Sequence, residues 1–228
     1  MRESFHTLKK LAKERLPQAP VLKVALLGDS ATQFLGLALK GAAVREGFCL
    51  DLWEADFNQV ERQVLDPGSE LHRFGADYVI LFQSAHKLLN TYSRYEPQER
   101  IHLAQNRIDL LHQLIAQILP PTRIICFNYA EIDDQVWGNY AAKREDYFQE
   151  QVRRLNLALS ELSRANDRFW VYDLNALQSK WGRNVLFQPS VYVNSEMVLS
   201  LDAIPMVGMS LAQMMATQKG RFKKCLIL

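Results

Sequence analysis

The stretch Val24-Ala25-Leu26-Leu27-Gly28-Asp29-Ser30-Ala31-Thr32-Gln33 decides the fold. Four consecutive apolar residues that run into a glycine read as a short strand covered on both faces. The polar Gly28-Asp29-Ser30 then opens a helix expected over residues 31–46, giving the strand–turn–helix start of a βα unit. Working outward, the same grammar repeats. Cys49–Trp53, Tyr78–Phe82, Ile124–Phe127 and Trp170–Tyr172 are further short apolar runs. Between them Ile101, Ala104, Ile108, Leu111, Ile115 and Ile118 step by three and four, as do Phe148, Val152, Leu155, Leu159 and Leu162; both sets mark helices with one buried stripe. Pro120-Pro121 stops the first of these helices, and Ile204–Thr217 forms a last one. The pattern predicts a three-layer α/β/α sandwich around about five parallel strands. Residues 3–15 are expected to form a charged amphipathic helix lying on the outside.

Composition narrows the function. The 228 residues carry 27 Lys and Arg against 25 Asp and Glu, a net charge of +2. That balance excludes a protein whose work is gripping nucleic-acid phosphates over a broad basic face. Cys49, Cys126 and Cys225 are widely spaced and form no CxxC, as expected of small hydrophobes in a reducing compartment. No apolar run is long enough to span a bilayer, and the first residues lack the apolar core of a secretion signal. The chain is therefore expected to be soluble and cytoplasmic.

In an open parallel sheet, ligands gather at the carboxyl ends of the strands. The residues leaving the strands are thus the candidates: Gly28, Asp29 and Ser30 after the first, Gln83, Ser84 and His86 after the third, and Asn128 after the fourth. Ser30 has two readings. As a nucleophile it would sit above a helix N-terminus whose amides help hold an oxyanion. As a structural residue it would head a Ser30-x-x-Gln33 capping box for a helix beginning at Ala31. Asp133-Asp134 suggests a metal only weakly, because no His or Cys completes a ligand set, and no metal site is expected. The long aromatic and amide-rich segment from Asn128 to Tyr140 reads as a lid or binding surface.

The Gly28-Asp29-Ser30 turn resembles the nucleophile block of the SGNH (GDSL-type) hydrolases, which share the flavodoxin-like sandwich predicted above. That family supplies its base from an Asp-x-x-His just before the last helix. Here Ser195 to Pro205 holds carboxylates but no imidazole, and none of the five histidines follows His112. The family's Gly-x-Asn-Asp is replaced by Phe82-Gln83-Ser84-Ala85. His102 and His112 lie off the buried stripe of their helix, and His72 has no obvious partner. His86 alone is placed to act as a substitute base for Ser30.

Asn128-Tyr129-Ala130-Glu131-Ile132-Asp133-Asp134 and Trp137 through Lys143 resemble the N-terminal region of the FkbH-like proteins. So do Pro189-Ser190-Val191-Tyr192, Met197 through Asp202, and the closing Gly220 through Leu228. These are phosphatase-type proteins of the haloacid-dehalogenase (HAD) superfamily with an SGNH-like domain in front. The resemblance implies an N-terminal helix and linker over 1–21, an SGNH-like domain over 22–218, and the first strand of a HAD domain over 219–228. It places the Asp-x-Asp nucleophile and its Mg²⁺ beyond Leu228, so no cofactor is expected within these residues. It implies as partners the HAD domain in cis and a small-molecule or acyl-carrier-protein substrate, with no nucleic acid and no membrane. Three functions follow: an accessory domain that binds substrate or carrier and is weakly active or inactive; an ester or thioester hydrolase or acyltransferase using Ser30; or a dimerisation platform.

Overall fold

The computed structural model describes residues 3–132 and 136–220. Five strands, β1 (Val21–Gly28), β2 (Cys49–Glu54), β3 (Tyr78–Phe82), β4 (Arg123–Phe127) and β5 (Phe169–Tyr172), form one sheet in the order β2-β1-β3-β4-β5. Every neighbouring pair is parallel. The three inner strands are apolar but for Lys23 and Arg123 near their amino ends, because helices cover both faces of the sheet. Successive side chains alternate between the two cores: Val24, Leu26, Ile80 and Phe127 enter one, and Ala25, Leu27, Leu81 and Cys126 enter the other.

Helices α1 (Phe5–Leu11), α2 (Gln33–Arg45), α3 (Val60–Leu65), α4 (Glu70–Phe74), α5 (Ala85–Arg94), α6 (Leu103–Gln117) and α7 (Phe148–Ala165) account for the first part of the chain. The short α8 (Leu174–Trp181), α9 (Arg183–Leu186) and α10 (Pro189–Ser195) follow, then α11 (Ala203–Gln218). The first core is closed by α2 and α11 and the second by α6 and α7, the three layers read from the sequence. All five stripe residues of α7 are buried. In α6 the helix begins only at Leu103, so Ile101 lies before it and stays exposed while Leu103 and Leu114 join the buried face.

Two local expectations are corrected. The first helix is not simply laid on the outside: Leu8 is fully buried, and Gly41 of α2 lies so close to the Leu8 backbone that a Cβ there would collide with it. And α2 starts at Gln33 rather than Ala31, with Thr32 at the cap position and no capping box from Ser30. Thr32 instead sends its hydroxyl to Glu54 Oε1 at 2.6 Å, tying the β1 exit to the β2 exit. From Arg221 onward the strand expected over 219–228 lies outside the described residues, as do Asp133 and Asp134.

The order of strands fixes where a site can form. After β1 the chain steps to β2 on one side and returns to β3 on the other, so the exits of β1 and β3 flank the topological switch point. Gly28-Asp29-Ser30 and Gln83-Ser84 are those exits.

Candidate functional site

The β1 turn is tight. A Cβ on Gly28 would stand 2.6 Å from the Thr32 methyl and 3.0 Å from the Ser30 carbonyl oxygen, so only glycine fits. The turn is clamped to the next exit: the Ser84 amide donates to Asp29 Oδ2 at 2.7 Å, and the Asp29 amide donates to the Phe82 carbonyl at 3.1 Å. Ser84 also caps α5, its hydroxyl accepting from the Lys87 amide at 3.2 Å. The capping serine in this region is thus Ser84, not Ser30.

Ser30 is fully enclosed, and its Oγ makes no well-formed hydrogen bond, the Asp29 carboxylate being the polar neighbour it acts on. The neighbouring Ala31 amide donates to the Glu196 carbonyl at 3.2 Å, drawing the end of α10 against the turn. Glu196 reaches back across the exit to Lys87 at 3.1 Å. His86, the residue proposed from sequence as a substitute base, stacks on Phe187 with ring centres 4.1 Å apart and leans on Tyr192. Its Nδ1 is buried without a partner, and burial pushes its pKa down to about 4. The imidazole is neutral near pH 7 and joined to Ser30 by no hydrogen bond.

Two cavities flank this turn. One of about 170 Å³ lies over the β3, β4 and β5 exits, walled by Phe82, Leu174, Leu186, Phe187 and Leu199, with Gln83 and His86 among its polar groups. The other, of about 330 Å³, lies between α5 and α6 and contains Asp29, Ser84, Arg107 and Tyr129. Ser30 lines neither cavity. Gln83 belongs to the first, its Oε1 accepting from the Tyr129 hydroxyl at 3.2 Å. Asn128 joins neither; it donates to Asp173 Oδ1 at 2.7 Å and accepts from the Asn175 amide at 3.1 Å, locking the β5 exit to the β4 exit. Ser30, Gln83 and Asn128 thus leave the same sheet edge without meeting in one cleft: Gln83 is bound to Tyr129, Asn128 to Asp173 and Asn175, and Ser30 is enclosed in the turn.

The electrostatics concentrate at the second cavity. Burial pushes the Asp29 carboxyl up to about 6, against the opposing pull of the Ser84 amide and hydroxyl, the Arg107 guanidinium and the Ser30 hydroxyl. Burial likewise pushes Tyr129 up to about 12, with Arg107 pulling it down. Arg107 donates from Nε to the Tyr129 hydroxyl at 3.1 Å. Burial works to lower the Arg107 pKa, yet Tyr129, Glu61 and Asp29 hold it above its ordinary value. Three perturbed groups around one concavity at a switch point are the physical signature of a ligand site.

Sequence reading missed Arg107. Its signal was its place: it is three residues after Ala104 and four before Leu111, on the buried stripe itself, where a charge needs a reason. His72, read as lacking a partner, has one in the Val64 carbonyl, 2.9 Å from its Nε2. Among the described residues no three His, Cys, Asp or Glu side chains converge in a way that would hold a metal ion. No helix among them is long and apolar enough to cross a membrane.

A search of the curated proteins finds no match. Solved structures do match. The N-terminal part of the protein BF1531 from Bacteroides fragilis, which contains a phosphatase domain complexed with Mg, is 42% identical with a TM-score of 0.94. That alignment covers 98% of this chain but 59% of the Bacteroides chain. BT4096, a gut microbial diltiazem-metabolizing enzyme, shares the fold at 16% identity and a TM-score of 0.54, over 92% of this chain and 49% of that one. Residues 23–216 match the family described as FkbH, N-terminal domain, and with that span covering most of its length the chain belongs to this family.

Proposed function

We propose that this chain is the SGNH-like accessory domain of an FkbH-like, HAD phosphatase-type protein, binding a substrate or an acyl-carrier partner and hydrolysing little or nothing itself. One observation carries the reading: no hydrogen bond joins the Ser30 hydroxyl to His86, whose Nδ1 is buried without a partner. A serine becomes a nucleophile when a base takes its proton through a hydrogen bond, with a third group orienting that base. Here His86 is oriented by apolar stacking on Phe187 and Tyr192 and by no carboxylate. With its pKa near 4 it is also a feeble proton acceptor. The phosphatase domain of the Bacteroides relative supports placing phosphoryl chemistry in a neighbouring domain. Mg²⁺, which accompanies the phosphatase domain of the Bacteroides relative, would belong to that chemistry.

What these residues do is bind and position. The cavities at the strand exits are rigidly framed by Asp29–Ser84, Asn128–Asp173 and Gln83–Tyr129 hydrogen bonds. A second reading, ester or thioester hydrolysis through Ser30, is favoured by the glycine-dependent turn that puts a serine at the switch point.

The test pairs catalysis with binding. Turnover of p-nitrophenyl acetate and of an acetyl thioester is measured for the wild type and Ser30→Ala, alongside calorimetric titration with a loaded acyl-carrier protein. Turnover of the wild type no faster than that of Ser30→Ala, with saturable carrier binding, is the expected result. Wild-type turnover that disappears in Ser30→Ala would overturn the reading in favour of the hydrolase.

A further inference from the structure

The cavity between α5 and α6 has a charge pattern that specifies a ligand. Its lining carries two carboxylates, Asp29 and Glu61, and two cations, Lys87 and Arg107, with Leu88 and Leu103 as apolar wall. Asp29 Oδ1 is buried and accepts no well-formed hydrogen bond, the Ser30 hydroxyl being a further donor beside the carboxylate, while its Oδ2 is held by the Ser84 amide. On the other side, Arg107 donates its Nε to the Tyr129 hydroxyl, and the ion-pair partners of both cations are well-exposed carboxylates. Arg107 stands 3.7 Å from Glu61, beyond hydrogen-bond reach, and Lys87 stands 3.1 Å from Glu196. Those two carboxylates are 57% and 49% exposed, against 19% for the Arg107 side chain. Exposed ion pairs of this kind are worth little, so a carboxylate entering the cavity can replace the rim partner at small cost and gain a charge-assisted contact with the guanidinium.

We propose that this cavity binds a small zwitterion, an aliphatic α-amino acid, with its ammonium donating to Asp29 and its carboxylate received by Arg107 and Lys87. A simple anion would meet Asp29 and Glu61 unpaired, and a simple cation would meet Arg107 and Lys87. Only a molecule carrying both charges satisfies both sides, and the leucine wall takes its side chain. The volume, about 330 Å³, falls at the small end of ligand cavities. The raised pKa of Asp29 comes from burial, which the Ser84 hydrogen bonds and the Arg107 charge offset only in part, so a further cationic donor would be welcome there. This proposal concerns one of the strand-exit cavities named above and does not depend on carrier binding.

The experiment is calorimetric titration of the whole chain with leucine and valine, and with three leucine analogues. These are 4-methylpentanoate, which lacks the amine, 3-methylbutylamine, which lacks the carboxylate, and 2-hydroxy-4-methylpentanoate, which replaces the amine by a hydroxyl. Inorganic phosphate is the simple-anion arm. Leucine is expected to saturate at millimolar concentration or below, with each analogue and phosphate weaker by about tenfold or more. Asp29→Asn and Arg107→Lys, each checked for an intact melting transition, are expected to weaken leucine by a similar factor. Absence of saturable leucine binding would overturn the proposal, as would equal binding by the acid, the hydroxy acid or phosphate. So would undiminished leucine binding by a folded Asp29→Asn.

Discussion

Ser30 and Asp29 are adjacent in sequence and buried in contrasting ways. On the side of Ser30 the surroundings are apolar: His86 lies against Phe187 and Tyr192, and the nearby cavity is walled mostly by Phe and Leu. On the side of Asp29 the surroundings are charged, with Arg107, Lys87 and Glu61 around a larger cavity. Both sides hold polar groups short of partners, and the two titratable ones shift in opposite senses. Burial lowers the pKa of a base and raises that of an acid, so His86 falls to about 4 while Asp29 rises to about 6. The same desolvation thus leaves a neutral imidazole on one side and a carboxylate hungry for a donor on the other.

Linkage turns that contrast into measurements. His86 resists protonation in the folded state, so the unfolded chain binds the extra proton between about pH 4 and 6.5. Its contribution is fully present above the unfolded pKa and is lost as pH falls through that window. His86→Phe removes this loss, and its stability relative to wild type should rise by up to about 3 kcal/mol between pH 7 and pH 4. Urea unfolding at the two pH values gives the difference, and a pH-independent offset would mean that the imidazole is well solvated.

The sign is reversed for Asp29. Its folded pKa lies above the unfolded value, so the folded state holds the extra proton between about pH 4 and 6, and stability falls as pH rises through that range. Asp29→Asn should therefore gain on wild type by about 2–3 kcal/mol in going from pH 4 to pH 7. In wild type the two slopes oppose each other, so each single variant uncovers the other residue's titration. If both variants shift in the same direction, the two sides do not differ as the burial argument requires.

The smallest effect is the most diagnostic for Ser30. A capping serine would lose about 0.5–2 kcal/mol on change to alanine. Ser30 caps nothing and has no well-formed hydrogen bond to lose, so Ser30→Ala should stay within about 0.5 kcal/mol of wild type. Thermal melts decide it, and a clear drop would restore the cap.

The sheet was legible because its strands are short apolar runs, and burial on both faces leaves no other pattern open to them. The start of α2 was less so. Ser30-x-x-Gln33 has the letters of a capping box, but the tertiary bond from Thr32 to Glu54 and the pull of Glu196 on Ala31 begin the helix later. Sequence placed Asp29 and Ser84 at one edge. It could not show that Arg107, twenty-three residues beyond Ser84, turns its guanidinium beneath them, because that depends on how α6 is rotated against the sheet. Nor could it show Asn128 spent on Asp173, a partner forty-five positions away.

The seat of α1 on α2 bears on how this domain can be cut. The family match begins at residue 23, after α1 has ended. A chain trimmed there keeps the five strands, apart from Val21 and Leu22 at the start of β1, but loses Leu8, together with Phe5 and Leu11 packed beside it. What remains at Gly41 is a groove shaped to receive a helix backbone, with its occupant removed. Such a fragment would be adhesive, taking up a Ser4–Ala12 peptide in trans or the first helix of an untrimmed copy.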